Sequence, residues 1–224
     1  REFIANVSHE LKTPIALIQG YAEGLADGLC GEKEMREQYL GVILDEAERM
    51  NKLVRQLLTL SQLESEHPDL NLEVFDLRES AESVLRKTQV LAEESGAKSL
   101  LLAPKEALLV RADAFRIDEV LMNYVSNAYH HVSEGGEVRL SLRVEGERAH
   151  CEVFNSGKPI PEADLERVFE KFYKVDKAHT RKYGGSGIGL SIVRAIMTQH
   201  NMPCGVRNAE NGVVFWFELP LAPT

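Results

Sequence analysis

The sequence contains few cysteines and no long apolar run, and both absences exclude classes of protein. Its three cysteines, Cys30, Cys151 and Cys204, are widely spaced and form no C-x-x-C pair, so neither a zinc site nor a disulfide framework is expected. We interpret them as free cytosolic thiols. No apolar stretch approaches the about 20 residues that a helix needs to cross a bilayer, and no signal peptide is present. Because the chain begins with Arg1-Glu2-Phe3 rather than Met, we expect a fragment of a longer protein.

Positive charge is also in short supply. The 224 residues carry 26 Lys and Arg against 35 Asp and Glu, which gives a formal net charge of −9 and a pI near 5.4. Nucleic-acid binding needs clustered basic side chains, so we exclude a nucleic-acid partner. The chain is long enough for two compact domains or one large one.

Two apolar stripes of helical period dominate the N-terminal region, and the segment Asp27–Gly31 between them is typical of a turn. The first stripe consists of Ile4, Val7, Leu11, Ile15, Ile18, Ala22 and Leu25, and the second of Leu40, Ile43, Ala47, Met50, Val54, Leu57 and Leu60. Two long helices joined by a short loop form an antiparallel hairpin. A lone hairpin buries too little surface to be stable, so we expect a homodimer that forms a four-helix bundle.

The pattern changes after His67-Pro68-Asp69, which we interpret as the end of the second helix and a domain boundary. Beyond it we expect strands at 72–75, 99–102, 108–111, 138–144, 150–154, 205–208 and 213–219, and helices at 77–94, 113–131 and 188–200. Asp76 is a plausible N-cap of the first of these helices. The mixed order indicates an α+β fold without the regular alternation of a doubly wound sheet.

The first helix carries reactive groups that packing does not require. His9, Glu10 and Pro14 occur within the run Val7–Pro14, and Thr13 follows His9 by one helical turn. Because proline has no N–H, the helix should kink just after His9. A nucleophile, a neighbouring base and a hydroxyl are therefore expected together at a local distortion.

Paired asparagines and glycine-rich segments supply candidate ligand contacts downstream. Asn123 and Asn127 share one helix face, and their amide oxygens suit Mg²⁺ and their amide hydrogens suit phosphate oxygens. They could equally be ordinary exposed or capping asparagines. The loop Asn155-Ser156-Gly157 is either a plain turn or a place where Asn155 contacts the polar edge of a flat ligand.

The segment 184–190 opens a helix with four glycines, a composition that suits phosphate binding at a helix N-terminus. It matches neither the P-loop nor the dinucleotide fingerprint. Arg181 and Lys182 could meet phosphate charge there or belong to a solvated loop. We interpret Phe169 and Phe172 as core residues, and the polar stretch between Lys174 and Arg181 as a mobile lid.

In this order the motifs resemble those of sensor histidine kinases of two-component signalling, and the resemblance covers nearly the whole chain. The matching segments are an H box from Phe3 to Pro14, an N box from Asn123 to Asn127, a first glycine box Asn155-Ser156-Gly157, an F box from Phe169 to Tyr173 and a second glycine box from Gly185 to Leu190.

The resemblance implies a dimerisation and phosphotransfer domain at 1–66, a linker at 67–71 and an ATP-binding α/β sandwich of the Bergerat or GHKL type at 72–224. His9 would attack the γ-phosphate of ATP with Glu10 as the orienting base, and Asn127 would hold Mg²⁺. The remaining ATP-binding residues implied are Asn123, His130, His131, Asn155, Gly157, Lys174, Arg181, Gly185, Gly187, Gly189 and Leu190. The partner would be the receiver domain of a response regulator, and the parent protein would be anchored in the bacterial cell membrane with this part in the cytoplasm.

Thr13 fits the family position whose polar side chain orients water for dephosphorylation of the regulator, although a Thr before a proline is also favoured by backbone restriction alone. Three features depart from the family: Asn155 replaces an Asp, Pro159 replaces a Gly, and His130 and His131 replace a Lys and an aromatic residue. We expect His130→Lys to strengthen nucleotide binding.

Two other functions remain as alternatives. One is a degenerate ATP-binding scaffold or dedicated phosphatase, which the presence of His9, Glu10 and Asn127 disfavours. The other is a helical dimer with an unrelated α+β partner, which leaves the glycine-rich loop unexplained.

Overall fold

The N-terminal part of the protein is a hairpin of two long helices. The computed structural model describes residues 2–28, 31–64, 70–175 and 185–223. Helix α1 (Glu2–Ala26) runs as one assigned helix through the buried Pro14, and α2 (Lys33–Leu63) packs along it. Near the turn, the rings of Tyr21 and Tyr39 meet edge to face at 4.8 Å. The predicted hairpin is confirmed, while Cys30 and the predicted boundary His67-Pro68-Asp69 lie outside the described residues.

Among the described residues, the second part contains two sheets, four α-helices and two short 3-10 helices (Glu162–Asp164 and Arg167–Phe169). Its elements are β1 (Glu73–Asp76), α3 (Leu77–Lys87), α4 (Gln89–Ser95), β2 (Lys98–Leu102), β3 (Leu109–Ala112), α5 (Ala114–His131), β4 (Glu137–Glu145), β5 (Arg148–Ser156), α6 (Gly189–Gln199), β6 (Cys204–Ala209) and β7 (Gly212–Pro220). Strands β1 and β3 form a small antiparallel sheet. The larger sheet has the order β2-β4-β5-β7-β6, in which only the β2–β4 pair is parallel.

The larger sheet has one face packed on helices and one polar face, which gives the α/β sandwich that was expected. Alternate residues of β4, β5 and β7, such as Leu140, Val153 and Phe217, are buried in the core with α5 and α6. Tyr124 of α5 is fully buried and lies 5.2 Å from the ring of Phe215. We call the opposite side of the larger sheet its outer face; it carries Arg139, Arg143, Arg148, His150, Glu152, Arg207, Trp216 and Glu218.

The helix predicted at 77–94 is wrong in one respect, because the structure divides it at Thr88. The hydroxyl of Thr88 donates to the carbonyl of Val84 at 2.9 Å, and its backbone leaves the helical region at φ −98° and ψ 10°. A threonine side chain that competes for a backbone carbonyl favours such a break. The predicted cap is confirmed, since Asp76 accepts from the N–H of Arg78 at 2.9 Å.

Candidate functional site

The reactive segment of α1 faces the second domain. His9 and Thr13 are exposed, whereas Glu10 is half-buried. Nζ of Lys174 donates to Oε1 of Glu10 at 2.8 Å, and the two side chains are only 14% and 22% exposed. The hydroxyl of Ser8 is bonded to the carbonyl of Ile4 within the same helix. The structure therefore places a cation of the second domain on the carboxylate next to His9.

The asparagine pair lies on the part of α5 that contacts α6. Nδ2 of Asn123 donates to the carbonyl of Glu119 at 2.9 Å, so its orientation is fixed by its own helix. A Cβ on Gly189 would lie 2.6 Å from Oδ1 of Asn123, which explains why a glycine begins α6. Asn127 follows one turn later and is half-buried. The N box and the second glycine box are thus in direct contact.

His130 lies in the last turn of this helix and is half-buried, while His131, which ends the helix, is exposed. Burial, followed by the charges of Lys52 and His131, lowers the pKa of His130 from 6.5 to about 4. His130 is therefore neutral near pH 7. The nearby ammonium of Lys52 belongs to α2, so the electrostatics of this end of α5 depend on the hairpin.

The first glycine box packs on the end of α5. Asn155 is 2% exposed, and Gly157 has φ 154° with its Cα so close to the helix that a Cβ would meet the carbonyl oxygen of His131 at 2.8 Å. Asn208 binds the loop that follows Gly157. Its Oδ1 accepts a hydrogen bond from the N–H of Ile160 at 2.9 Å, and its Nδ2 donates to the carbonyl of Ile160 at 2.7 Å. We did not predict a role for Asn208, because nothing in its sequence context distinguishes it from other strand residues.

The F box and the second glycine box also lie against each other. The N–H of Phe172 donates to the carbonyl of Gly187 at 2.8 Å, and both residues have positive φ, 64° and 73°. A Cβ on Gly187 would lie 2.9 Å from the Phe172 backbone. Phe169 is buried in the core as predicted, and Leu190 is half-buried against it. Gly185 begins the described segment, whereas Arg181 and most of the predicted lid lie outside the described residues.

Four further contacts dock the second domain on the hairpin, and none was predicted. Lys171 pairs with Glu64 at 2.6 Å, and the Phe3 and Phe172 rings lie 5.7 Å apart. Ser186 donates to Gln56 at 2.8 Å, and Gln199 donates to the carbonyl of Leu63. Leu53, Leu60 and Leu63 of α2 are buried, and α2 contacts α6. The cleft between Glu10 and Ser186 measures about 10 Å³, room for about one water molecule.

Comparison with known proteins identifies the family of the chain. Residues 112–223 match the histidine kinase-, DNA gyrase B- and HSP90-like ATPase family, and residues 1–66 match the His Kinase A (phospho-acceptor) domain. Sensor histidine kinase WalK of Bacillus subtilis (strain 168) is 37% identical over 223 residues, which are 98% of this chain and 36% of WalK. Sensor protein SrrB of Staphylococcus aureus (strain COL) is 33% identical over 221 residues, 98% of this chain and 38% of SrrB.

Solved structures agree. Histidine kinase AdeS of Acinetobacter baumannii has a TM-score of 0.79 and 26% identity, covering 96% of this chain and 98% of AdeS. Histidine kinase ThkA, solved in complex with response regulator protein TrrA, has a TM-score of 0.81 and 30% identity over 99% of this chain and 61% of ThkA. The chain spans little more than a third of the length of WalK and SrrB. Among the described residues, no helix has the length and apolarity to span a membrane. The chain belongs to the sensor histidine kinase family, with a phospho-acceptor hairpin followed by an ATPase domain of the type shared with DNA gyrase B and HSP90.

Proposed function

We propose that this chain is the kinase core of a two-component sensor, which transfers the γ-phosphoryl group of ATP to His9 and then to an aspartate of a response regulator. The observation that carries this proposal is the Lys174–Glu10 contact at 2.8 Å. It brings the nucleotide side of the ATPase domain against the carboxylate beside a solvent-exposed histidine. The relationship to WalK and SrrB supports the same function.

In the forward reaction, a nitrogen of His9 forms the new bond to phosphorus and ADP leaves. Neutral imidazole is a competent nucleophile near pH 7, and Glu10 would accept the hydrogen bond of the other ring nitrogen. In the present arrangement Glu10 is bound to Lys174. For Glu10 to orient the His9 ring this contact would open, and Lys174 would then be free to bind phosphate oxygens.

Nucleotide contacts would come from the N box and the two glycine boxes, which pack on α5 at Asn123 and at His131. The side-chain oxygen of the buried Asn155 would accept a hydrogen bond from the adenine amino group. Gly187 and Gly189 would let the protein backbone approach the phosphates closely. Asn127 fits a role as ligand of Mg²⁺, because this ion prefers oxygen ligands and keeps several waters. The ion would neutralise phosphate charge; the protein residues bind and orient the nucleotide.

The test is incubation of the protein with γ-labelled ATP and Mg²⁺, followed by measurement of acid-labile, base-stable label. We expect label on the wild-type protein and none on His9→Gln. Ser8→Ala is the matched control, because the Ser8 hydroxyl donates to the carbonyl of Ile4 within its own helix, and it should label normally. Absence of label with intact ATP binding would support the scaffold or phosphatase alternative, and absence of ATP binding would contradict both nucleotide functions.

The reverse activity is a separate part of the proposal. Thr13 lies one turn after His9 and is exposed, so its hydroxyl could orient a water at a phosphorylated receiver domain. We expect Thr13→Ala to keep autophosphorylation and to slow loss of label from the phosphorylated regulator. Equal loss of label with Thr13→Ala and wild type would remove Thr13 from this role.

The hairpin would act as a homodimer. Several of its large apolar side chains are exposed in the single chain, namely Ile4, Ile15, Leu17, Met35, Leu40, Leu44, Val54 and Leu58. Such a surface is typical of an interface. In analytical ultracentrifugation we expect Leu44→Gln to weaken dimerisation, and Leu72→Gln, at an exposed apolar position of the ATPase domain, to leave it unchanged. An unchanged dimer with Leu44→Gln would contradict the bundle.

A further inference from the structure

The outer face of the larger sheet holds a histidine surrounded by carboxylates, remote from the nucleotide side. His150 is only 7% exposed, and its ring stacks on Trp216 at 5.6 Å with an interplanar angle of 17°. Its Nδ1 faces Oε1 of Glu218 at 3.3 Å and Oε2 of Glu145 at 3.7 Å. The three ligand atoms lie within 4.8 Å of one another. They come from the adjacent strands β4, β5 and β7, so the sheet itself brings them together.

The contact of Nε2 with Glu152 determines which nitrogen of the His150 ring can bind a cation. Nε2 lies 3.0 Å from Oε1 of Glu152. The same oxygen accepts hydrogen bonds from Nη2 of Arg143 at 3.0 Å and from Nη2 of Arg207 at 3.1 Å. A carboxylate held by two guanidinium groups is an acceptor, so it takes the Nε2 hydrogen of His150. With the hydrogen on Nε2, the imidazole presents Nδ1 to the two carboxylates, so a cation between them would meet three ligand atoms.

Arginine side chains also bind the carboxylates of Glu145 and Glu218. Nη1 of Arg148 donates to Oε2 of Glu218 at 2.6 Å, and Nε of Arg143 donates to Oε1 of Glu145 at 2.5 Å. Each glutamate thus has one oxygen fixed by an arginine and its other oxygen directed at His150. A carboxylate behind the histidine and donors behind the carboxylates are typical outer partners of metal ligands.

We propose that Glu145, His150 and Glu218 form a binding site for a transition-metal ion such as Zn²⁺, with Glu152 orienting the imidazole. Tetrahedral Zn²⁺ with bond lengths of about 2.0–2.2 Å needs its ligand atoms ~3.3 Å apart, and the exposed Glu145 can close this gap without disturbing the core. An imidazole ligand and only three protein ligands favour Zn²⁺ over Mg²⁺. The cysteine spacing gave no indication of such a site, and neither described cysteine, Cys151 or Cys204, takes part in it.

The sole tryptophan, Trp216, makes the site directly observable. Zn²⁺ alone is titrated into the full chain at pH 7.5, with calorimetry for stoichiometry and Trp216 fluorescence as the local signal. We expect one ion to change the fluorescence, with binding weakened about 100-fold or more by His150→Gln and about 10-fold by Glu152→Gln, as for ligands and their outer partners. Glu137→Gln is the matched control, because Glu137 lies on the same face but pairs with Arg139.

Two results would overturn the proposal. One is Zn²⁺ binding that His150→Gln and Glu218→Gln leave unchanged, which would assign the ion to another part of the chain. The other is a Trp216 signal that responds to pH but not to Zn²⁺, which would mean that a proton is the cation between Nδ1 and the carboxylates. Far-UV circular dichroism of each variant confirms that the sheet is intact before binding is compared.

Discussion

The pairing of Lys174 with Glu10 gives a quantitative prediction about domain docking. A hydrogen bond to a charged group contributes about 1.5–3 kcal/mol, whereas an exposed ion pair contributes about 0–1 kcal/mol. The Lys174 and Glu10 side chains are 14% and 22% exposed, and those of Lys171 and Glu64, which pair across the same interface, are 37% and 47% exposed. We therefore expect a coupling of about 1–2 kcal/mol for the first pair and below about 0.5 kcal/mol for the second.

Trp216 provides the assay, because it lies in the ATPase domain while Glu10 lies in the hairpin. Docking stabilises the ATPase domain by linkage, so a weaker contact lowers the free energy of unfolding that Trp216 fluorescence reports in urea. The double-mutant cycle consists of Lys174→Met, Glu10→Gln and the two together. Lys171→Met and Glu64→Gln form the control cycle.

The expected outcome is that either single change in the first cycle destabilises the ATPase domain and that the second change adds little. If Glu10→Gln leaves the Trp216 transition where it was, or if the first cycle shows no more coupling than the control, the contact does not hold the domains together and the reasoning is refuted.

Three further predictions concern the nucleotide side. Gly187→Ala should cost about 1–3 kcal/mol in thermal unfolding, and clearly more than Gly146→Ala, which shares a positive φ but has no neighbour within 4 Å of the added methyl. Because the pKa of His130 is lowered from 6.5 to about 4, the stability tied to its neutral form is present above pH ~6.5 and is lost as the pH falls toward 4, by at most about 3 kcal/mol; His130→Gln should flatten this part of the urea-stability profile. Asn208→Ala removes both hydrogen bonds to Ile160 and should weaken binding of a non-hydrolysable ATP analogue about tenfold, with Asn208→Asp intermediate because it keeps only the acceptor.

Sequence reasoning succeeded where the determinants are local. The helical period of the apolar residues predicted the hairpin. Asp76 predicted the start of α3, and the alternation of apolar and polar residues predicted β4 and β5 within a few residues. The prediction of one continuous helix at 77–94 was wrong because the break at Thr88 depends on its hydroxyl, which donates to the carbonyl of Val84. The local pattern identified each of these segments as helix or strand, but it predicted their end points less accurately.

The sequence did not predict the contacts between distant segments, and the reason is a different one. His150 and Glu218 become neighbours only when β5 pairs with β7 in the observed register, and single-sequence alternation does not specify which strands pair. The docking of Lys174 on Glu10 likewise depends on how two domains meet. The boxes proposed to bind the nucleotide could be predicted because their residue types indicate chemistry on their own, whereas Asn208 is distinguished only by its position in the fold.

Glu10 connects the docking contact to the proposed chemistry. Its carboxylate can accept the hydrogen bond of the His9 ring or hold the Lys174 ammonium at 2.8 Å, and a cation on that carboxylate weakens it as a hydrogen-bond acceptor for imidazole. The docked arrangement and the transfer arrangement therefore compete for one side chain. In the proposed mechanism, Lys174→Met would free Glu10 but would also remove a positive charge that could stabilise the transferred phosphoryl group. The proposed kinase thus requires a contact strong enough to bring the domains together and weak enough to open, which is the intermediate coupling expected for this half-buried pair.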